Sequence, residues 1–112
     1  MKFRYRMLLL APALALPLMT AMGEGDTERG KAVYKRCAMC HGNSGEGNEA
    51  IGKALGVNIP DLGSKEVQEM EDSALKEVIL EGKGKMQGVS LSQTELDDVI
   101  AFMRSLKKPS TQ

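Results

Sequence analysis

The chain has 112 residues, with 15 basic and 15 acidic side chains, two Tyr, two Phe and no Trp. This charge balance differs from that of proteins that bind nucleic acid through basic surfaces. The length allows one small domain. A small domain with few aromatic side chains commonly needs a disulfide, a metal or a cofactor to be stable.

Residues 1–23 have the pattern of a secretory signal peptide. Three basic residues precede an apolar run from Met7 to Leu18, and Ala21-Met22-Gly23 offers small residues for cleavage. The 16 residues from Met7 to Met22 contain two prolines. They are fewer than the roughly 20 residues that span a bilayer. We therefore expect export with cleavage.

The mature chain is expected to be one domain over residues 24–112. The segment 1–23 contains three of the basic residues and no acidic one, which leaves 12 basic and 15 acidic residues and a formal charge of −3. Charges of both signs are interspersed, as on the surface of an ordinary small domain.

Both cysteines and the only histidine lie within the run Cys37-Ala38-Met39-Cys40-His41. In a helix, the second cysteine and the histidine follow Cys37 by three and four positions, so all three side chains leave from one face. C-x-x-C-H is the spacing of covalent haem attachment, in which the thiols add to two vinyl groups and the imidazole binds the iron. The run predicts a covalently bound haem c.

Three other uses of a C-x-x-C run are less well supported. A structural zinc site normally has four protein ligands, and this run offers three. A thioredoxin-like redox site is expected near a βαβ pattern, and no convincing strand follows the signal segment. A disulfide would close a loop too short to constrain the unfolded chain much.

The first predicted helix runs from Thr27 into the cysteine motif, with Asp26 as its N-cap. Its apolar stripe contains Tyr34 and begins at Gly30. A glycine inside a helix is unfavourable, so Gly30 indicates that another element crosses close to the backbone.

Residues 42–61 contain five glycines and are predicted to form a loop that wraps the face of the haem. The carbonyl of Pro60, in a turn within this segment, is predicted to accept the second imidazole N–H of His41. Such a bond would fix the tautomer of the ring and make it a more basic ligand.

Two further helices are expected over residues 64–70 and 73–81, the second ending at Gly82, before an irregular glycine-rich stretch over 82–86. The last helix starts with a capping box formed by Ser92 and Glu95. Phe102 in its apolar stripe is the predicted partner of the first helix.

The chain has no second histidine, so the sixth ligand of the iron is expected to be a methionine or, less readily, a lysine or water. Met39 points off the attachment face, Met103 has core spacing, and Met70 lies in an amphipathic stretch that packing explains. Met86 lies 45 residues after His41 on an irregular stretch. We predict Met86, with Met70 and an open or non-methionine site as the remaining alternatives.

These features resemble a small single-haem cytochrome c of the bacterial periplasmic kind, over essentially all of residues 24–112. The matching features are Gly30 and Tyr34, Cys37 to Gly42, Gly45-Glu46-Gly47, Pro60-Asp61-Leu62, Ile79 to Met86 and Val99 to Leu106. Gln87 stands where many relatives have Pro, and Gly88 and Val89 stand where many have an aromatic residue.

The resemblance implies an all-α cytochrome c fold in which the first and last helices cross and helices and loops wrap one haem. It also implies thioether bonds at Cys37 and Cys40, His41 and Met86 as axial ligands, and a periplasmic location.

Protein ligands on both sides of the iron leave no position for a substrate, so the expected function is non-enzymatic one-electron transfer between redox protein partners. The protein is expected to be a monomer or a subunit of a complex, and not to bind nucleic acid. Two alternatives are a haem subunit of a larger oxidoreductase and a haem protein whose open sixth position binds small ligands.

Overall fold

The computed structural model describes residues 12–17 and 25–109. The helices are α1 (Thr27–Tyr34), α2 (Ala38–His41), α3 (Glu49–Leu55), α4 (Lys65–Gln68), α5 (Asp72–Glu81) and α6 (Gln93–Ser105), and the strands are β1 (Gly82–Lys83) and β2 (Met86–Gln87). The described part of the chain is therefore mostly helical, as predicted. Its only sheet is one antiparallel pair of two-residue strands, with Lys83 opposite Met86.

The predicted signal segment 1–23 lies outside the described residues, except for 12–17. Those six residues are exposed and form no helix. Within the described ranges, no helix has both the length and the apolar character needed to cross a bilayer.

Helices α1 and α6 cross at Gly30, as the sequence predicted. A Cβ atom added to Gly30 would lie 1.9 Å from the carbonyl oxygen of Asp98 and 3.0 Å from Cβ of Phe102. The ring of Phe102 packs against that of Tyr34, with centroids 4.8 Å apart and planes inclined by 49°. The missing side chain therefore lets the two helix backbones touch, and the aromatic pair closes the crossing beside them.

A buried carboxylate joins the start of α1 to α6. Asp98 is only 4 % exposed, and it accepts hydrogen bonds from the Asp26 backbone N–H (2.7 Å) and from Nε of Arg29 (2.9 Å). The Arg29 bond and the Asp26 N–H hold the pKa of Asp98 below its ordinary value. Paired in this way, the charge fixes the angle at which α1 meets α6 instead of opposing burial.

The core is a single cluster, and half of its buried members lie on α6. Its buried apolar members are Tyr34, Leu62, Val67, Leu75, Ile79, Leu96, Val99, Ile100, Phe102 and Met103. Arg104 connects this cluster to the turn between α4 and α5, because its guanidinium donates to the carbonyls of Gln68 (2.8 Å) and Met70 (2.6 Å) and to the Asp72 carboxylate (2.6 Å). The turn that carries Met70 is therefore fixed on α6.

Two predicted boundaries of regular structure were wrong. Helix α1 stops at Tyr34, because Arg36 and Cys37 donate to carbonyls only three residues back, which tightens the chain before α2 begins. The stretch 82–86 is ordered as a hairpin, and the left-handed φ angles of Gly82 (+80°) and Gly84 (+57°) allow its reversal.

The segment 42–61 is not loop throughout, since it contains α3. Asn48 caps the start of α3 by accepting the Ile51 N–H (3.2 Å), and Gly56 ends the helix in the left-handed conformation. The sequence therefore contains both a start signal and a stop signal for α3, but the five glycines of the segment led to the prediction of a loop.

We predict that Gly30→Ala lowers the free energy of unfolding of the haem-loaded protein by about 1–3 kcal/mol or more, because the new methyl group must push the Asp98 carbonyl away. Guanidinium unfolding followed by circular dichroism measures the change. Lys31→Ala, at an exposed position of the same helix, is the control and should change stability by less than about 0.5 kcal/mol. Equal stability of the Gly30→Ala variant and the wild type would show that the crossing tolerates a side chain.

Candidate functional site

The C-x-x-C-H run forms a short helical turn. Cys37 has helical backbone angles (φ −103°, ψ −19°) and precedes α2. Its carbonyl accepts the N–H groups of Cys40 (3.3 Å) and His41 (3.0 Å). This turn, residues 37–42, is called the attachment turn below. In a helical turn, residues three and four positions apart share one face, so this backbone is the one that the predicted attachment requires.

Both cysteines are free thiols and half-buried. Cys37 and Ala38 pack against the core cluster, so the attachment turn is anchored from behind. Burial raises the pKa of the Cys37 thiol. Burial therefore favours the uncharged form of Cys37, and both thiols are free for thioether formation.

His41 is half-buried, and desolvation lowers its pKa. A neutral imidazole is the form that binds iron. Its Nδ1 atom is buried and makes no hydrogen bond to any of the described residues. The predicted bond to the Pro60 carbonyl is therefore not formed in this structure, and the role of Pro60 stays a prediction.

The turn after Pro60 is held by other groups. The Leu62 N–H donates to the Gly45 carbonyl (2.8 Å). The Asp61 carboxylate accepts a hydrogen bond from the Gly63 N–H (2.8 Å) and forms an ion pair with Lys108. These contacts hold the turn on Gly45 and on Lys108, and none of them involves the imidazole.

The four methionines considered as iron ligands have different surroundings. Met39 is 72 % exposed, Met103 is 6 % exposed within the core, and Met70 packs against the core from outside. Met86 is half-buried on β2, and it is not among the described residues that pack on the core cluster. Of the four, only Met86 is partly covered without being committed to core packing.

The hairpin that carries Met86 is tightly held at its base. The Val89 N–H donates to the Ile79 carbonyl (2.7 Å), and a Cβ on Gly88 would lie 2.2 Å from the Leu80 carbonyl oxygen. Gly88, one of the departures from the common pattern, is thus a point of close backbone contact. The hairpin is consequently fixed to the end of α5.

Two contacts of the attachment turn were not anticipated from the sequence. The Tyr34 hydroxyl donates to the Gly42 carbonyl (2.6 Å), and the Asn48 side-chain amide donates to the Met39 carbonyl (3.1 Å). Burial is the main cause that raises the pKa of Tyr34 to about 12, which keeps the hydroxyl a donor. A helix-start signal, Asn48 followed by Glu49, was present for the second contact, but no local signal indicates the first.

Within residues 12–17 and 25–109, no group of three or more His, Cys, Asp or Glu side chains is arranged to hold a metal ion. The attachment turn alone therefore does not form a protein-only metal site. Its donor set of two free thiols and one neutral, half-buried imidazole instead fits a haem c.

Comparison with known proteins agrees with this fit. The family model described as Cytochrome c matches residues 27–107, which is most of the chain. No curated protein and no solved structure gives a significant match. A cytochrome c domain implies a covalently bound haem c with its iron. The chain therefore belongs to the cytochrome c family, whose haem c indicates an electron carrier.

Proposed function

We propose that this protein is a one-electron carrier in which Cys37 and Cys40 hold the haem by thioether bonds and His41 and Met86 are the axial ligands. The observation that carries the proposal is the attachment turn, which presents two free thiols and a neutral imidazole on one helical face. Bound there, the haem supplies an iron that changes between the ferric and ferrous states.

The surroundings of the methionines support Met86 as the second ligand. A sixth ligand must reach the iron without giving up contacts that hold the core together. Met103 and Met70 have such contacts. Met86 lies on a hairpin that is anchored at its base and leaves its side chain uncommitted, so its sulfur is free for the iron.

A carrier of this type works because its ligands stay in place while the electron arrives and leaves. The attachment turn packs on the core through Cys37 and Ala38, and the hairpin is fixed to α5. Both protein sides of the proposed site are therefore rigidly supported. A histidine and a methionine together raise the reduction potential, since the thioether favours ferrous iron.

Export completes the proposal. The basic start and apolar run of residues 1–23 support cleavage before a mature domain over 24–112 and delivery to the periplasm.

The proposal predicts covalent haem. After expression with a cytochrome c maturation system, acid–acetone extraction should leave the colour with the precipitated protein, because two thioether bonds resist acid. Cys40→Ala should leave a single bond or prevent maturation, while Ala38→Ser, between the two attachment sites, should retain both bonds. A colourless wild-type precipitate would contradict the proposal.

A second prediction concerns the sixth ligand. Met86→Leu keeps an apolar side chain of similar volume but removes the sulfur. It should abolish the weak sulfur–iron absorption at the red edge of the visible spectrum and open the iron to carbon monoxide. It should also lower the reduction potential by a measurable part of the roughly 0.8 V range that axial ligands control.

Met70→Leu is the matched control and should leave the spectrum and the potential unchanged. The reverse pattern, with an altered spectrum only in the Met70 variant, would assign the ligand to Met70.

A further inference from the structure

The attachment turn ends in four carbonyl groups, those of residues 39–42, that a helix of this length cannot satisfy internally. Each of them accepts a hydrogen bond from outside α2. The donors are Asn48 Nδ2 for Met39 (3.1 Å), Asn48 N for Cys40 (2.9 Å), Gly47 N for His41 (2.7 Å) and Tyr34 Oη for Gly42 (2.6 Å). The end of the turn that bears His41 is therefore held by groups from two other segments of the chain.

Asn48 provides two of these four bonds and a third contact in the opposite direction. Its Nδ2 donates to the Met39 carbonyl, while its Oδ1 accepts the Ile51 N–H (3.2 Å) as the N-cap of α3. An amide side chain donates from one atom and accepts at the other, whereas a carboxylate only accepts. The residue type is therefore suited to joining the attachment turn to α3.

We propose that Asn48 is a positioning residue for the haem, which its side chain influences through the carbonyl of Met39 and thereby through the orientation of His41. This inference rests on the proposed function. The carbonyls at the C-terminal end of a helix carry partial negative charge. Donors on these carbonyls offset that charge beside the iron ligand, so removing a donor favours ferric iron.

Two substitutions separate positioning from simple capping. Ser and Asp are both good N-caps, so Asn48→Ser and Asn48→Asp keep α3 capped. Serine is too short to replace the amide donor, and aspartate puts a negative oxygen against the Met39 carbonyl. We expect the reduction potential to fall in both variants, further in Asn48→Asp, and the paramagnetically shifted NMR signals of the His41 ring to move.

Ser64→Asp is the control. Ser64 is the N-cap of α4, where it accepts the Val67 N–H (3.4 Å), so this change also places one negative charge at a helix N-cap. It should leave the His41 ring signals where they are in the wild type.

Wild-type potential and His41 signals in both Asn48 variants, with haem still attached, would show that the Asn48 side chain only caps α3 and would overturn the inference. Absence of covalent haem from the wild type would instead overturn the proposed function. If neither variant folds, hydrogen exchange in the wild-type holoprotein decides. Slow exchange of the Asn48 side-chain N–H groups supports the inference, and exchange at the rate of an open amide contradicts it.

Discussion

The contact between α1 and α6 at Gly30 is the constraint on which the rest of this structure depends. It brings together residues about 70 positions apart, and the buried Asp98 then sets the angle of approach by binding Asp26 and Arg29. Closing so long a loop is entropically costly, so the crossing needs both backbone contact and aromatic packing to persist. Once it forms, α6 becomes the surface on which the remaining elements assemble.

The crossing also connects the core to the chemistry. Tyr34 packs on Phe102 with its ring and holds the Gly42 carbonyl with its hydroxyl. One side chain thus joins the helix crossing to the end of the attachment turn. On the other side of the core, Arg104 fixes the turn before α5, and α5 in turn supports the hairpin of Met86. Both proposed iron ligands therefore depend on α6 through short chains of contacts.

The features that could be predicted from the sequence are those encoded locally. The capping box at Ser92, the N-cap at Asp26 and the C-x-x-C-H spacing each lie within a few residues, and all three are present in the structure. Gly30 also predicted a close helix crossing, because a glycine inside a helix is destabilising unless another backbone packs against it. Helix α3 was not predicted, because the glycines of residues 42–61 indicated a loop despite the N-cap at Asn48.

The contacts that hold the site join different elements of the fold, and no residue pattern indicated them. No pattern near Asp98 indicates that its carboxylate is buried, because its partners Asp26 and Arg29 are about 70 positions away in the sequence. The Tyr34 hydroxyl and the Asn48 amide find their carbonyl acceptors only after the chain has folded. The hydrogen bond expected from the His41 imidazole to the Pro60 carbonyl stays a prediction, since Nδ1 of His41 has no partner among the described residues.

A spectroelectrochemical titration of the purified holoprotein tests the central claim most directly. The account predicts one reversible one-electron step, low-spin six-coordinate spectra in both oxidation states, and no binding of carbon monoxide to the reduced protein. A high-spin ferrous form that binds carbon monoxide, or the absence of a reversible one-electron step, would contradict it.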